Sequence, residues 1–181
     1  MKSLLFAVLG ALSFAGPSFA GKFTLSSKSI ADGKVIDKKF VFNSFGCTGD
    51  NKSPELTWTK GPAGTKFYAI TAYDPDAPTG SGWWHWLIVN IPESTTSLAE
   101  GVSGDASKLP AGSLETRTDY GKAGYGGPCP PAGDKPHRYI FTVYAVKDKI
   151  PVEADASGAL AGYYIQANKL AEAKLTGKFG R

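Results

Sequence analysis

The stretch His137-Arg138-Tyr139-Ile140-Phe141-Thr142-Val143-Tyr144-Ala145-Val146 decides the fold class of this chain. Side chains alternate between the two faces of a β-strand. One face of this segment would carry Tyr139, Phe141, Val143 and Ala145. The other face would carry Ile140, Thr142, Tyr144 and Val146. This alternation makes the segment the best strand in the chain. The runs Lys66–Tyr73 and Trp83–Ile91 are nearly all apolar or aromatic, as expected of strands that are covered on both faces.

Further segments with strand character flank this one. They are Lys22–Ser26, Val35–Phe45, Leu56–Thr59, Lys66–Tyr73 and Trp83–Ile91. Near the end of the chain, apolar residues from Leu160 to Leu175 repeat at helical spacing. Asp155 or Ser157 would cap the start of this helix and Gly177 its end. The pattern predicts a mainly β fold, an antiparallel β-sandwich with a C-terminal α-helix, in one domain.

The first twenty residues have the pattern of an export signal. Met1-Lys2 is a short positive region, Leu4 to Ala15 is apolar, and Ser18-Phe19-Ala20 is a typical cleavage site. We therefore expect cleavage after Ala20, a mature domain over 21–181, and a periplasmic or secreted location. The alternative is an apolar N-terminal helix that stays in the fold. The apolar stretch is too short to span about 30 Å of hydrocarbon, so no transmembrane anchor is expected.

Composition excludes several classes of protein. The chain has 181 residues, 42% of them hydrophobic, which is typical of a globular protein and excludes wholesale disorder. Its 20 Lys and Arg against 16 Asp and Glu give a net charge of +4. The basic residues are scattered and form no long run, so we do not expect nucleic-acid binding.

Two cysteines, Cys47 and Cys129, are the whole cysteine content. In an exported protein an even pair favours a disulfide, although two free thiols are the alternative. Their wide separation does not match the ligand spacing of a zinc site.

Both histidines lie on predicted strands beside loops rich in Gly and Pro. His85 follows the Asp74-Pro75-Asp76-Ala77-Pro78 turn, and His137 ends a long loop over 120–136. If the two strands are neighbours, both imidazoles, Asp74 and Tyr139 converge at one end of the sheet. Backbone N–H groups of Gly124, Gly126 and Gly127 can approach a ligand there, which suits a small anion. The alternatives are half-buried histidines, a simple turn, and tryptophans that only pack.

Five segments together resemble the phosphatidylethanolamine-binding protein family, also called the Raf kinase inhibitor protein family, and most of all its exported bacterial branch. They are Ser53–Trp58, Asp74–Pro78, Trp84–Asn90, Gly126–Pro131 and His137–Tyr139. The resemblance covers about residues 23–180.

The resemblance implies a β-sandwich with a small anion pocket at one end, which binds phosphate or the phosphoethanolamine head group. Carried onto this sequence, it implies eight ligand-binding residues. They are Asp74, Ala77, Pro78, His85, Gly127, Pro130, His137 and Tyr139. Animal members often have Trp-His-His where this chain has Trp83-Trp84-His85, so the role of that second histidine does not transfer.

The sequence favours a binding protein over an enzyme. It has no nucleophile elbow, phosphate-binding Walker loop or His-Glu-x-x-His motif, and we expect no cofactor and no bound metal. Three alternatives stay open. One is modulation of a protein partner, another is inhibition of a periplasmic or secreted protease, and the last is a metal-assisted hydrolase that uses His85, His137 and Asp74.

Overall fold

The computed structural model describes residues 21–181. The predicted signal sequence and its cleavage after Ala20 lie outside the described residues. The elements, in chain order, are β1 (Leu25–Ser26), β2 (Leu56–Trp58), β3 (Phe67–Asp74), β4 (Trp83–Pro92), β5 (Ser97–Leu98), β6 (Leu114–Glu115), β7 (His137–Val146), α1 (Gly158–Asn168) and β8 (Lys169–Phe179). None of the helices within 21–181 is long and apolar enough to cross a bilayer.

Two antiparallel sheets build the fold. The larger has the strand order β6-β4-β3-β7-β8, and the smaller has the order β1-β2-β5. The main core lies between them: Leu56 and Trp58 of the small sheet join Ile70, Phe141 and Val143 of the large one in a single buried cluster. This arrangement confirms the predicted mainly β class.

β7 has the bounds and the two apolar faces expected from its sequence. Tyr139, Phe141, Val143 and Ala145 belong to the core between the sheets. Tyr144 and Val146 project the other way, into a second cluster that includes Ile165 of α1. The helix therefore covers the outer face of the large sheet, which explains why this strand is apolar on both sides.

The prediction of a strand over Val35–Phe45 was wrong. Val35 makes an isolated bridge to Lys178, and Lys38–Phe40 form one turn of 3₁₀-helix. The Asp37 side chain caps this turn by accepting a hydrogen bond from the Lys39 N–H. Phe40 is completely buried, so its apolar character fixes a loop to the core and does not mark a strand face.

The predicted helix was too long. Ser157 is the N-cap, but α1 ends at Asn168, and β8 begins at Lys169. The segment also alternates in strand fashion, because Ala171, Ala173 and Leu175 are more buried than Lys174 between them. Pairing with β7 over nearly its whole length, from His137↔Phe179 to Val146↔Lys169, decides between the two patterns. The helix is therefore internal and a strand follows it.

Candidate functional site

The central strand β3 explains how distant parts of the sequence meet. β3 pairs with β4 on one side and with β7 on the other. Asp74 ends β3 opposite Trp83, while Tyr73 lies opposite Ile140 of β7. The predicted cluster supposed that the strands that carry His85 and His137 are neighbours, but β3 separates them. Their starts instead flank Asp74 at one end of the large sheet.

Asp74 and His137 form a buried ion pair or neutral hydrogen bond, depending on the proton that the ring carries. The two side chains are 3% and 5% exposed, and His137 Nδ1 donates to Asp74 Oδ2 at 2.8 Å. The other oxygen, Asp74 Oδ1, accepts from the Asp76 N–H at 2.8 Å. On its far side, His137 Nε2 lies 3.4 Å from Asp134 Oδ2. Both ring nitrogens therefore face carboxylates, which fix the orientation of the ring.

Asp76 links the loop after β3 to Arg138, which projects from the opposite face of β7 to His137. It accepts two hydrogen bonds from the Arg138 guanidinium, at 2.9 and 2.7 Å, and one from the Arg138 backbone N–H. The hydrogen bonds from Arg138 lower the pKa of Asp76 to about 2. Arg138 projects away from His137 and Tyr139, as alternation along a strand requires.

His85 is buried and is held by backbone groups. Its Nδ1 donates to the Gly126 carbonyl at 2.7 Å, and its own carbonyl accepts from the Gly126 N–H at 2.8 Å. Burial lowers the pKa of His85 to about 4, against the partly opposing effect of the Gly126 carbonyl. At neutral pH the ring is uncharged. Because Nδ1 carries the proton, the free lone pair is on Nε2.

Two polar groups next to these side chains lack a partner within the described chain. Tyr139 is 1% exposed, and its hydroxyl, which lies near the Asp74 carboxylate, makes no hydrogen bond of normal geometry within residues 21–181. The same holds for Trp83 Nε1. Burial and the negative charge of Asp74 raise the pKa of Tyr139, so its hydroxyl keeps its proton. Buried donors without partners are rare in folded proteins and indicate a ligand or water position.

These side chains line a cavity of about 220 Å³. The lining consists of Phe45, Asp74, Ala77, Pro78, Thr79, Trp83, His85, Tyr120, Cys129, Pro130, Pro131, His137 and Tyr139. Seven of the eight residues predicted from the resemblance are among them.

Gly127 is the predicted site residue that does not line the cavity. Its N–H donates to Asn51 Oδ1 at 2.7 Å, and a Cβ at this position would lie 2.1 Å from the Phe40 carbonyl oxygen. The Gly126 N–H is likewise committed to His85. These glycines let the loop pack closely against its neighbours, and their N–H groups are bonded within the protein.

An aromatic rim formed by Phe45, Trp83 and Tyr120 was not predicted as part of the site. The Tyr120 ring stacks on Phe42 with centroids 4.1 Å apart, and its hydroxyl donates to the Gly127 carbonyl at 2.9 Å. Phe45 is 65% exposed and has a φ of 56°. Trp83 had a signal in the sequence, because it shares a strand face with His85. Phe45 and Tyr120 had none, since only long-range packing brings their loops here.

Two links join the loops that bear Phe45 and Pro130. One is the disulfide between Cys47 and Cys129, which confirms the predicted pairing. The other is the Arg181 guanidinium, whose Nε donates to the Pro130 carbonyl at 2.7 Å and whose Nη1 donates to the Gly46 carbonyl at 3.0 Å. The mouth of the cavity is therefore held by one covalent and one charged connection.

Within residues 21–181, no group of three or more His, Cys, Asp or Glu side chains could hold a metal ion. The polar groups of the lining include the Asp74–His137 pair, His85, the Tyr139 hydroxyl and Trp83 Nε1.

The fold and this cavity define a small β-sandwich protein with a cavity at one end of its large sheet. Comparison with known proteins gives its family. The family model for phosphatidylethanolamine-binding protein matches residues 26–180. The chain belongs to the phosphatidylethanolamine-binding protein family.

Individual relatives agree with this assignment. The chain is 50% identical over 179 residues to the UPF0098 protein YbcL of Escherichia coli K12, which covers 97% of each chain. The crystal structure of E. coli YbcL, described as a new member of the mammalian PEBP family, matches with a TM-score of 0.86 and 52% identity over 88% of this chain and 98% of that one. A Mycobacterium tuberculosis protein named "Putative lipoprotein LppC" is 35% identical over 88% of this chain and 73% of its own length.

Proposed function

We propose that this protein is exported and binds a small phosphate-like anion, such as phosphate or the phosphoethanolamine head group, in the cavity beside Asp74. The observation that carries the proposal is the buried hydroxyl of Tyr139, which has no partner in the described chain and lies with His85 and His137 around one cavity. Membership of a family described as phosphatidylethanolamine-binding supports the same chemistry.

Each predicted residue has a distinct part in this proposal. Tyr139 donates to the anion, and His85 contacts it through Nε2. Asp74 fixes the His137 ring, as the 2.8 Å hydrogen bond suggests. The remaining residues shape the site. Ala77, Pro78 and Pro130 form its walls, and Gly127 acts indirectly, through the hydrogen bond that its carbonyl accepts from Tyr120.

We infer binding and not catalysis from the state of the nucleophiles in the lining. The Thr79 hydroxyl donates to the Gly82 carbonyl, and the Cys129 sulfur is in a disulfide. The family description and the relatives' names state no enzymatic activity. Modulation of a protein partner, protease inhibition and metal-assisted hydrolysis are the alternative functions.

An NMR titration tests the binding proposal. Inorganic phosphate and O-phosphoethanolamine should shift the imidazole signals of both His85 and His137. His137→Ala and Asp74→Ala should each weaken the response of the remaining signals of the site. The matched control is Tyr163→Phe, which changes an exposed side chain of α1 and should respond as the parent does. Folded protein whose histidine signals ignore both compounds would refute the proposal.

Export is tested on the full chain. The pattern of residues 1–20 and the lipoprotein name of the mycobacterial relative support it. After expression in a Gram-negative host and cell fractionation, the product should lie outside the cytoplasm with Gly21 as its first residue. Ala20→Asp should block processing, whereas Lys22→Ala should not. Cytoplasmic product that retains Met1 would contradict export.

A further inference from the structure

The lining of the cavity has no cationic Lys or Arg side chain, which is unusual for a site that binds anions. The chain as a whole has 20 of these residues. The one carboxylate of the lining is Asp74. Arg138, the nearest guanidinium on β7, is bound to Asp76 on the other face of the strand. A doubly charged anion would therefore enter a lining without a fixed positive charge, while Arg181 at the mouth is bonded to the carbonyls of Pro130 and Gly46.

The two imidazoles do not give the lining a net positive charge. His137 lies between Asp74 and Asp134, so a proton on its ring is matched by carboxylates that already contact it. His85 is uncharged at neutral pH. The charged and titratable groups around the two rings are Asp74 from β3, Tyr139 and Arg138 from β7, and Asp76, Asp119, Tyr120 and Asp134 from the loops.

The hydrogen-bonding groups are also neutral. The Tyr139 hydroxyl and Trp83 Nε1–H are donors without a partner in the described chain. The hydroxyls of Thr79 and Tyr120 donate to the backbone carbonyls of Gly82 and Gly127. His85 Nε2 offers a lone pair, which accepts a proton or an O–H. Such a set suits an oxyanion that carries one negative charge and can also donate a hydrogen bond.

We propose that the site selects monoanions and takes a phosphomonoester in its singly protonated form, with the P–OH donating to His85 Nε2. This inference rests on the proposed anion-binding function and states which charge form of the ligand is bound. A phosphomonoester is mostly a dianion above its second pKa, near 6. Binding from that form takes up one proton from solvent, which resides on the phosphate oxygen that donates to Nε2. A phosphodiester is a monoanion throughout and needs no such uptake.

Calorimetric titration with methyl phosphate and dimethyl phosphate tests this between pH 6.5 and 8.5. Uptake of one proton makes the methyl phosphate affinity fall about tenfold per pH unit, or about 100-fold over the range. Dimethyl phosphate affinity should change less than about twofold, since the ligand does not titrate. A methyl phosphate affinity that stays constant or rises would overturn the inference and leave the binding function standing. A parallel fall for dimethyl phosphate would assign the titration to the protein and also overturn it. If neither compound nor inorganic phosphate binds at either pH, the proposed function itself fails.

A charge added to the lining gives an independent test. Pro131 lines the cavity and is exposed, so Pro131→Lys places an ammonium at the site. The matched control is Ala111→Lys, at an exposed position outside the lining. Pro131→Lys should raise the methyl phosphate affinity at pH 8.5 about tenfold and flatten its pH dependence. Equal effects of the two variants would show that overall charge, and not the lining, governs selectivity.

Discussion

His85 and His137 line the same cavity, but different hydrogen-bond partners orient their rings. His137 is oriented by carboxylates on both ring nitrogens, whereas His85 is oriented by the Gly126 carbonyl. Burial keeps the His85 ring neutral, against the opposing effect of the Gly126 carbonyl on its pKa. The cavity therefore contains one imidazole held by side-chain carboxylates and one held by a backbone carbonyl.

The Tyr139 hydroxyl gives the first prediction at this scale. Because it has no partner within the described chain, Tyr139→Phe should leave the free energy of unfolding unchanged or raise it by up to about 1 kcal/mol. Phosphate affinity should fall about tenfold. Urea unfolding and calorimetric titration measure the two effects.

Tyr125→Phe is the matched control. Its buried hydroxyl donates to the Phe40 carbonyl at 2.9 Å, so removal should lower the free energy of unfolding by about 1 kcal/mol without affecting phosphate binding. If Tyr139→Phe behaves in the same way, its hydroxyl has a structural role and not a ligand-binding one.

The low pKa of His85 predicts a pH dependence of stability. Folding lowers this pKa from 6.5 to about 4, so between these values the unfolded chain binds more protons than the folded one. The free energy of unfolding should therefore fall as the pH drops from 6.5 to 4, by about 3 kcal/mol. Urea midpoints across this range measure it, and His85→Asn should remove most of the slope. The remainder belongs to carboxyls such as Glu100 and Glu172, whose pKa values folding lowers.

Asp76 titrates in a different window and serves as the control. Its folded pKa of about 2 lies below its ordinary 3.8. The stability from its contact with Arg138 is present above 3.8 and is lost as the pH falls toward 2. Asp76→Asn should consequently leave the slope between 6.5 and 4 intact. Loss of that slope in Asp76→Asn would contradict the assignment to His85.

Residue-level prediction succeeded where local rules apply. Period-two alternation and the position of the Gly/Pro loops predicted a cluster of Asp74, His85, His137 and Tyr139 on the condition that the two strands are neighbours. The four side chains do line one cavity, but β3 lies between those strands. Such local rules could not predict the aromatic rim of the cavity. Phe45 reaches the cavity from a loop that precedes Asp74 by almost thirty residues, and Tyr120 reaches it from another loop.

At the scale of elements, the contrast between β7 and β8 shows what the sequence can decide. Both faces of β7 are so apolar that its sequence clearly predicts a strand. The segment after Asn168 fits a helix and a strand almost equally, and the free edge of β7 decides in favour of the strand. Local pattern alone could not have placed this boundary, since a partner distant in the sequence determines it.

The contact of α1 with β4 gives a prediction for this scale. A Cβ on Gly158 would lie 2.3 Å from Trp84 Cγ, whereas one on Gly162 would lie 3.6 Å from the same side chain. Gly158→Ala should therefore lower the free energy of unfolding by about 1–3 kcal/mol through overpacking. Gly162→Ala, which improves helix propensity without a clash, should raise it by about 0.5–1 kcal/mol. Thermal and urea unfolding compare the pair, and stabilisation by both would contradict the packing of α1 on Trp84.

At the scale of the whole molecule, the disulfide links residues 82 positions apart. Closing a loop of this length restricts the unfolded chain and stabilises the fold by roughly 4 kcal/mol. Cys47→Ser/Cys129→Ser should lose about that amount in urea unfolding. Because Arg181 also joins the two loops, the double variant should still bind phosphate. Arg181→Ala in that background should then weaken binding further than it does in the parent. Additive effects would show that the two links act independently.

The same bond also closes residues 47–129 into a covalent ring. Asp74 and His85 lie within the ring, while His137 and Tyr139 follow it along the chain. A protease that cuts one exposed peptide bond inside the ring, for example between Gly101 and Gly112, leaves a single molecule whose strands stay paired. The nicked protein releases no fragment until the bond is reduced. For a protein exported as proposed, which meets extracytoplasmic proteases, the bridge therefore gives tolerance to cleavage, and both halves of the cavity remain together after the chain is cut.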